Sequence, residues 1–140
     1  MPDGRACVLI IDDDEGFCRL VTKHLERCNF RALAEQSSQA GLARIEQGGV
    51  DAVILDHVMP GDDGLATLAR IRAISTALPV IYLTGSQDSR IAVAALKSGA
   101  SEYVVKDLQG EFLALLESAV TNALKAAELR RARDRAEEEV

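Results

Sequence analysis

Short apolar runs alternate with helical patterns along the first four-fifths of the chain. Runs this short and this rich in β-branched residues, each followed by a helix-like stretch, are typical of strands in a parallel sheet buried on both faces. Five such runs lie at residues 7–11, 30–35, 51–56, 80–84 and 103–106. The pattern therefore predicts an α/β fold made of five βα units.

The segments between the runs carry the signals of helix ends and turns. We expect Ser38 and Asp88 to cap the second and fourth helices, and glycines at positions 48 and 99 to end them. Residues 59–64 are dense in turn-forming residues and predict a loop directly after the third strand.

The last helix begins near residues 109–111 and has no stop signal. From Glu128 onward the sequence is charged, apart from a thin apolar stripe formed by Leu129, Ala132, Ala136 and Val140. A stripe this narrow is typical of a helical linker or a weak coiled coil, although a frayed, solvated helix end would look similar. We expect one domain over residues 1–125 and a charged helical linker over residues 126–140.

Composition narrows the class of protein. The chain has 140 residues, of which 48% are hydrophobic and 27% charged, and its net charge of −6 argues against a nucleic-acid surface. It has neither an apolar run long enough to span a membrane nor a secretory signal, so we expect a cytoplasmic protein.

Three cysteines without Cys-x-x-Cys spacing predict free thiols rather than disulfides or zinc ligands. We interpret His24 and His57 as structural or surface residues.

Polar residues come at the ends of four predicted strands. Asp12 and Asp13 follow the first, Asp56 ends the third, Thr84 ends the fourth and Lys106 ends the fifth. Because the carboxyl ends of parallel strands meet at one edge, these groups should lie together. Crowded carboxylates repel one another unless a cation lies among them, and Mg²⁺ prefers such oxygen ligands. A carboxylate nucleophile beside a hydroxyl and an amine indicates phosphoryl transfer.

These residues, in this order, resemble the response-regulator receiver domain, the CheY-like module of two-component signalling. The resemblance covers about residues 5–122. It implies a doubly wound (βα)5, flavodoxin-like three-layer sandwich, with a five-stranded parallel sheet in the strand order 2-1-3-4-5 and an extended C-terminal helix. Pro60 and Gly64 match the family's loop after the phosphoacceptor, and the small Gly85 would leave a phosphoryl group accessible.

The resemblance also implies a role for each site residue. Asp12 and Asp13 look like the metal-binding acid pair and Asp56 like the phosphoacceptor, which would also bind Mg²⁺. Lys106 looks like the lysine that pairs with the phosphoryl group. The remaining roles would be those of the switch hydroxyl Thr84, the aromatic partner Tyr103 that moves with it, and the Val58 backbone carbonyl as a further Mg²⁺ ligand.

The function that follows is a phosphorylation-dependent switch. Asp56 would accept a phosphoryl group from a phosphohistidine on a histidine kinase or phosphotransfer protein, changing the face made by the fourth helix, fifth strand and fifth helix. Such a domain is not an enzyme, because it promotes only its own phosphorylation and dephosphorylation. Family members usually have proline after the lysine, in a cis peptide, whereas Asp107 follows Lys106 here, which leaves a cis or a trans bond open.

Three other readings compete with this one. A receiver-like interaction module that no longer takes phosphate would keep the fold but not the chemistry. A carboxylate-nucleophile phosphatase would want a second acid at position 58, where this chain has Val58. A dinucleotide-binding enzyme would need glycines after the first strand instead of acids. The chain would be a stand-alone receiver or the first domain of a longer regulator, with a homodimer through the C-terminal helix.

Overall fold

A parallel sheet with helices on both faces forms the body of the protein. The computed structural model describes residues 4–59, 61–85, 89–107 and 111–138. The strands are β1 (Cys7–Ile11), β2 (Arg31–Glu35), β3 (Ala52–Asp56), β4 (Val58–Met59), β5 (Asp62–Asp63), β6 (Val80–Thr84) and β7 (Glu102–Val105). The helices are α1 (Glu15–Arg27), α2 (Ser38–Gln47), α3 (Gly64–Ile74), α4 (Ser89–Lys97) and α5 (Phe112–Glu138).

Five of these strands make the main sheet, in the order β2-β1-β3-β6-β7, and every pairing in it is parallel. The short β4 and β5 pair only with each other, as an antiparallel hairpin. When that hairpin is set aside, the strand order is the predicted 2-1-3-4-5. The five βα units are therefore confirmed.

Alternate residues of the central strands build two separate cores. Val8 and Ile10 of β1 belong to a buried cluster with residues of α1 and α5. Leu9 and Ile11 face the other way, into a cluster with residues of α2, α3 and α4. Because successive side chains of a strand point to opposite faces, an unbroken apolar run is what a doubly covered sheet requires. The three-layer sandwich is confirmed.

Two local predictions were wrong. The segment after β3 is not a plain loop, because Val58–Met59 and Asp62–Asp63 pair as the β4–β5 hairpin. The N-cap of α2 is Ser37, whose side chain accepts a hydrogen bond from the Ala40 amide, and Ser38 is instead buried and hydrogen-bonded to Thr67 at 2.8 Å. Either serine could cap a helix, and the extended backbone at Ser37 decides which one does.

The other helix ends agree in part with the sequence. Gly48 follows α2 with φ of 85° and Gly99 lies just beyond α4 with φ of 106°, so both stop signals are confirmed. The proposed cap Asp88 and the predicted start of the last helix at residues 109–110 lie outside the described residues.

The last helix is long and changes character along its length. Its buried residues run from Phe112 to Ala127, which is only 3% exposed, whereas residues 128–138 are all exposed. The helix therefore stays buried two residues beyond the predicted boundary at 125, and the division into domain and linker stays a prediction. No helix in the described part of the chain has the length and apolar character needed to cross a membrane.

Candidate functional site

The carboxyl edge of the sheet gathers the polar residues that the sequence singles out. Asp12 directly follows β1, Asp56 ends β3, Thr84 ends β6 and Lys106 follows β7. Asp12 and Thr84 are fully buried, and Asp56 is 5% exposed. The Lys106 amide donates a hydrogen bond to the Thr84 carbonyl at 2.6 Å, which fixes the two strand ends against each other. The structure thus brings these four residues together, as predicted.

Three carboxylates lie side by side at this edge. Asp12, Asp13 and Asp56 each offer an oxygen within 4.8 Å of the others, and Asp13 is the exposed member. Asp12 accepts a hydrogen bond from the Asp14 amide at 2.9 Å, which orients its carboxylate. The Asp14 side chain has a structural role, because it caps α1 by accepting from the Phe17 amide at 3.0 Å.

The lysine ammonium group lies among the carboxylates. Its Nζ is 3.0 Å from Asp12 Oδ2 and 3.9 Å from Asp56 Oδ1, and it lies 4.0 Å from the centre of the Phe17 ring. The ring face is attracted to the cation, and the ring also shields this ion pair from water. Asp12 and Phe17 therefore hold the Lys106 side chain in place.

The charges at this edge do not balance. Burial, together with the charges of Asp12 and Asp13, raises the pKa of Asp56 to about 6, although Lys106 and the His57 amide act in the opposite direction. A buried carboxylate among like charges is stabilised by a cation, and three carboxylate donors suit a hard divalent ion such as Mg²⁺. The residues present therefore fit a Mg²⁺ site.

The remaining predicted site residues lie around this centre. Tyr103 is half-buried on β7 against the cluster on the α2, α3 and α4 side, and Val58 lies on the hairpin with its side chain 69% exposed. That the Val58 carbonyl binds metal stays a prediction, as does the switch role of Tyr103. Pro60 lies outside the described residues. The Lys106–Asp107 bond is trans, since the described residues contain no cis peptide. A cis bond is costly before any residue other than proline, and Asp107 is not a proline.

A second pair of polar residues, which the sequence analysis did not connect, begins directly after Asp56. His57 Nδ1 shares a hydrogen bond with the hydroxyl of Tyr82, a buried residue of β6. Burial raises the pKa of Tyr82 well above its usual range. No motif predicts this contact, because Tyr82 looks like one more apolar residue in a strand.

Gly64 explains how closely α3 approaches this pair. A Cβ at Gly64 would lie 2.5 Å from Tyr82 Oη, 2.8 Å from His57 Cα and 2.9 Å from the Asp56 carbonyl oxygen. Real Cβ atoms essentially never approach so closely, so only glycine allows the helix to begin here. The first turn of α3 thus fixes the backbone of Asp56.

Comparison with known proteins identifies the family. Residues 8–117 match the model of the response regulator receiver domain. The chain is 33% identical over 116 residues to the transcriptional regulatory protein ZraR of Escherichia coli, an alignment that covers 82% of this chain and 26% of ZraR. It is 36% identical over 106 residues to the transcriptional regulatory protein AfsQ1 of Streptomyces coelicolor, covering 76% of this chain and 47% of AfsQ1.

Solved structures give the same result. The crystal structure of a response regulator receiver domain protein from Clostridium thermocellum superposes with a TM-score of 0.81 at 32% identity, covering 89% of this chain and 98% of that one. The chain belongs to the response regulator receiver domain family, whose members act as phosphorylation-dependent switches in two-component systems. It spans about a quarter of ZraR and about half of AfsQ1.

Proposed function

We propose that Asp56 is the residue of this receiver domain that accepts the phosphoryl group. The observation that carries the proposal is the buried Asp56 carboxylate, whose Oδ1 lies 3.9 Å from the Lys106 ammonium and beside the carboxylates of Asp12 and Asp13. A carboxylate oxygen of Asp56 attacks phosphorus, and the phosphohistidine nitrogen of the donor leaves, so that an aspartyl phosphate forms. Lys106 is already placed to bind a phosphoryl oxygen.

Asp12, Asp13 and Asp56 would hold Mg²⁺, together with the Val58 backbone carbonyl. When bound, the ion offsets negative charge on the oxygens of the transferred group. Asp13 is the exposed member of the trio, so it faces the side from which ion and phosphodonor arrive. Asp12 is held by both the Asp14 amide and Lys106, which fixes the orientation of its carboxylate.

The readout of phosphorylation is proposed to run through Thr84 and Tyr103. Thr84 donates a hydrogen bond from its hydroxyl to a phosphoryl oxygen, and Tyr103 turns into the space that Thr84 leaves. The face made by α4, β7 and α5 then changes, which converts a local electrostatic event into a surface signal. The donor is a histidine kinase or a phosphotransfer protein, the compartment is the cytoplasm, and the exposed end of α5 leads to an output domain or pairs with a second copy.

Acetyl phosphate with Mg²⁺ tests the assignment of Asp56. Wild type should gain one phosphoryl group by intact mass, and Asp56→Asn should gain none, because an amide cannot act as the nucleophile. Asp134→Asn, a change at an exposed position of the C-terminal helix, is the matched control and should behave as wild type. Equal uptake by wild type and Asp56→Asn would disprove the assignment, and no uptake by wild type would favour an interaction module that takes no phosphate.

A further inference from the structure

A second cluster of metal-binding side chains lies away from the carboxyl edge, where α1 ends against α5. His24 and Cys28 are four residues apart, so they project from the same side of α1. Glu117 reaches them from the second turn of α5. All three are half-buried, and each offers a ligand atom within 4.8 Å of the other two.

Two of the three separations are close to the edges of a tetrahedral zinc site. His24 Nε2 lies 3.7 Å from Cys28 Sγ and 3.5 Å from Glu117 Oε1. With Zn–S near 2.3 Å and Zn–N or Zn–O near 2.0 Å, two tetrahedral ligands lie roughly 3.3–3.6 Å apart. Small rotations of the side chains would therefore suffice to bring all three atoms onto one ion. The same 3.5 Å is long for a hydrogen bond between His24 and Glu117.

The donor set favours zinc over a hard ion. One thiolate, one imidazole and one carboxylate are the ligand types of zinc, whereas Mg²⁺ binds oxygen ligands. About a quarter of the His24 side chain and 38% of the Glu117 side chain are exposed, which leaves an open side for water as a fourth ligand. Burial and the neighbouring Glu117 raise the pKa of Cys28, so without metal the thiol keeps its proton.

We infer that His24, Cys28 and Glu117 form a zinc site that links α1 to α5. The ion bonds to Cys28 Sγ, His24 Nε2 and a Glu117 oxygen, and the thiol proton passes to solvent. Zinc was not expected from the sequence because the cysteines lack paired spacing. The His-x-x-x-Cys spacing on α1 was the available signal, but the third ligand comes from a helix 89 residues further along the chain. Bound zinc would fasten the packed half of α5 to the body of the domain.

Cobalt provides a direct probe, because Co²⁺ replaces zinc and gives a thiolate charge-transfer absorption only when sulfur binds it. The full chain, reduced and with Mg²⁺ in excess to occupy the aspartate site, is titrated with Co²⁺ and then with Zn²⁺. We expect a thiolate band that saturates at one equivalent and is removed by Zn²⁺. A wild-type protein with no such band would overturn the proposal.

Variants assign the ligands. Cys28→Ser should abolish the band, and His24→Gln and Glu117→Gln, which keep the thiol, should each weaken Co²⁺ binding by at least the roughly 10–100-fold that loss of an outer-shell partner costs. Cys7→Ala and Glu26→Gln are matched controls and should titrate as wild type. A band that persists in Cys28→Ser, or an affinity unchanged in both His24→Gln and Glu117→Gln, would also overturn it. Circular dichroism checks that each variant is folded.

The zinc proposal can be wrong while the proposal for phosphorylation of Asp56 holds, and the two can be tested separately. Acetyl phosphate uptake by Cys28→Ser should equal that of wild type, because the cluster lies outside the aspartate site. In thermal unfolding, Zn²⁺ should raise the midpoint of wild type and leave that of Cys28→Ser unchanged, since a ligand that binds only the folded state stabilises it. An equal shift in both proteins would place the stabilising ion elsewhere.

Discussion

Charged side chains lie at both edges of the sheet, but the groups that contact them differ. At the amino edge, Arg72 donates from Nε and Nη2 to the Gly99 carbonyl at 2.9 and 2.6 Å, and from Nη1 to the Leu78 carbonyl at 2.6 Å. Asp51 accepts from the Cys7 amide at 2.7 Å. Arg72 and Asp51 are thus each bonded directly to backbone groups.

At the carboxyl edge, by contrast, like charges accumulate. Asp12, Asp13 and Asp56 lie together with a single ammonium group, that of Lys106, among the residues that the structure describes there. The pKa of Asp56 is raised as a result. The difference teaches which edge is structural and which is functional: charges bonded to backbone groups hold the loops in place, and an excess of one sign suits a ligand of the other sign.

The largest effect on stability should follow from removing the arginine at the amino edge. Arg72→Met should lower the free energy of unfolding by about 3 kcal/mol, because it leaves the carbonyls of Gly99 and Leu78 without their charged donor. Urea unfolding measures the change. Arg70→Met, at an exposed position of the same helix, should stay within about 0.5 kcal/mol of wild type. If both variants lost the same stability, the amino edge would not depend on Arg72.

Asp56→Asn should reveal the imbalance at the carboxyl edge as a pH dependence. The pKa of Asp56 is about 6 in the folded protein, against 3.8 for an unperturbed aspartate, so the fold binds this proton more tightly than the unfolded chain. Protonation therefore favours folding fully below pH 3.8, and this contribution is lost as the pH rises through about 6. The difference corresponds to roughly 3 kcal/mol.

In metal-free protein, Asp56→Asn should thus gain stability relative to wild type as the pH rises from about 4 to 7, by an amount on the order of 2–3 kcal/mol. Unfolding free energies at several pH values measure the gap, and added Mg²⁺ should narrow it by stabilising wild type. Asp134→Asn should run parallel to wild type. Parallel curves for Asp56→Asn as well would mean that Asp56 carries no excess charge.

The sequence could predict which residues meet at the carboxyl edge, but not the contacts that depend on packing between elements. Asp12, Asp56, Thr84 and Lys106 were predictable because strand ends in a parallel sheet share an edge, so position along the chain is enough to bring them together. The short hairpin was not, since two-residue strands have no apolar alternation to detect. The His57–Tyr82 contact and the approach of Glu117 to His24 depend on how elements pack in three dimensions, which no spacing along the chain encodes.

Gly64→Ala tests how strictly the carboxyl edge is positioned. The new Cβ would push against Tyr82, His57 and the Asp56 carbonyl, and overpacking of this kind costs roughly 1–3 kcal/mol. We expect a loss within that range, with slower phosphorylation by acetyl phosphate because Asp56 moves. Gly16→Ala is the control, since a Cβ there meets its nearest atom, Asp14 Oδ1, at 3.4 Å. Unchanged phosphorylation in Gly64→Ala would show that the edge tolerates such a shift.

The smallest effect should come from the exposed end of α5, which reaches the amino edge of the sheet. Glu128 and Arg131 border a hollow that Gly4 and Asp51 also line, but residues 128–138 are all exposed. A chain ending after Ala127 should therefore unfold within about 0.5 kcal/mol of the full chain, because surface residues contribute little stability. Sedimentation of both chains, with and without acetyl phosphate, measures pairing. Self-association confined to the full chain would assign pairing to this segment, whereas a large loss of stability would make the segment part of the domain.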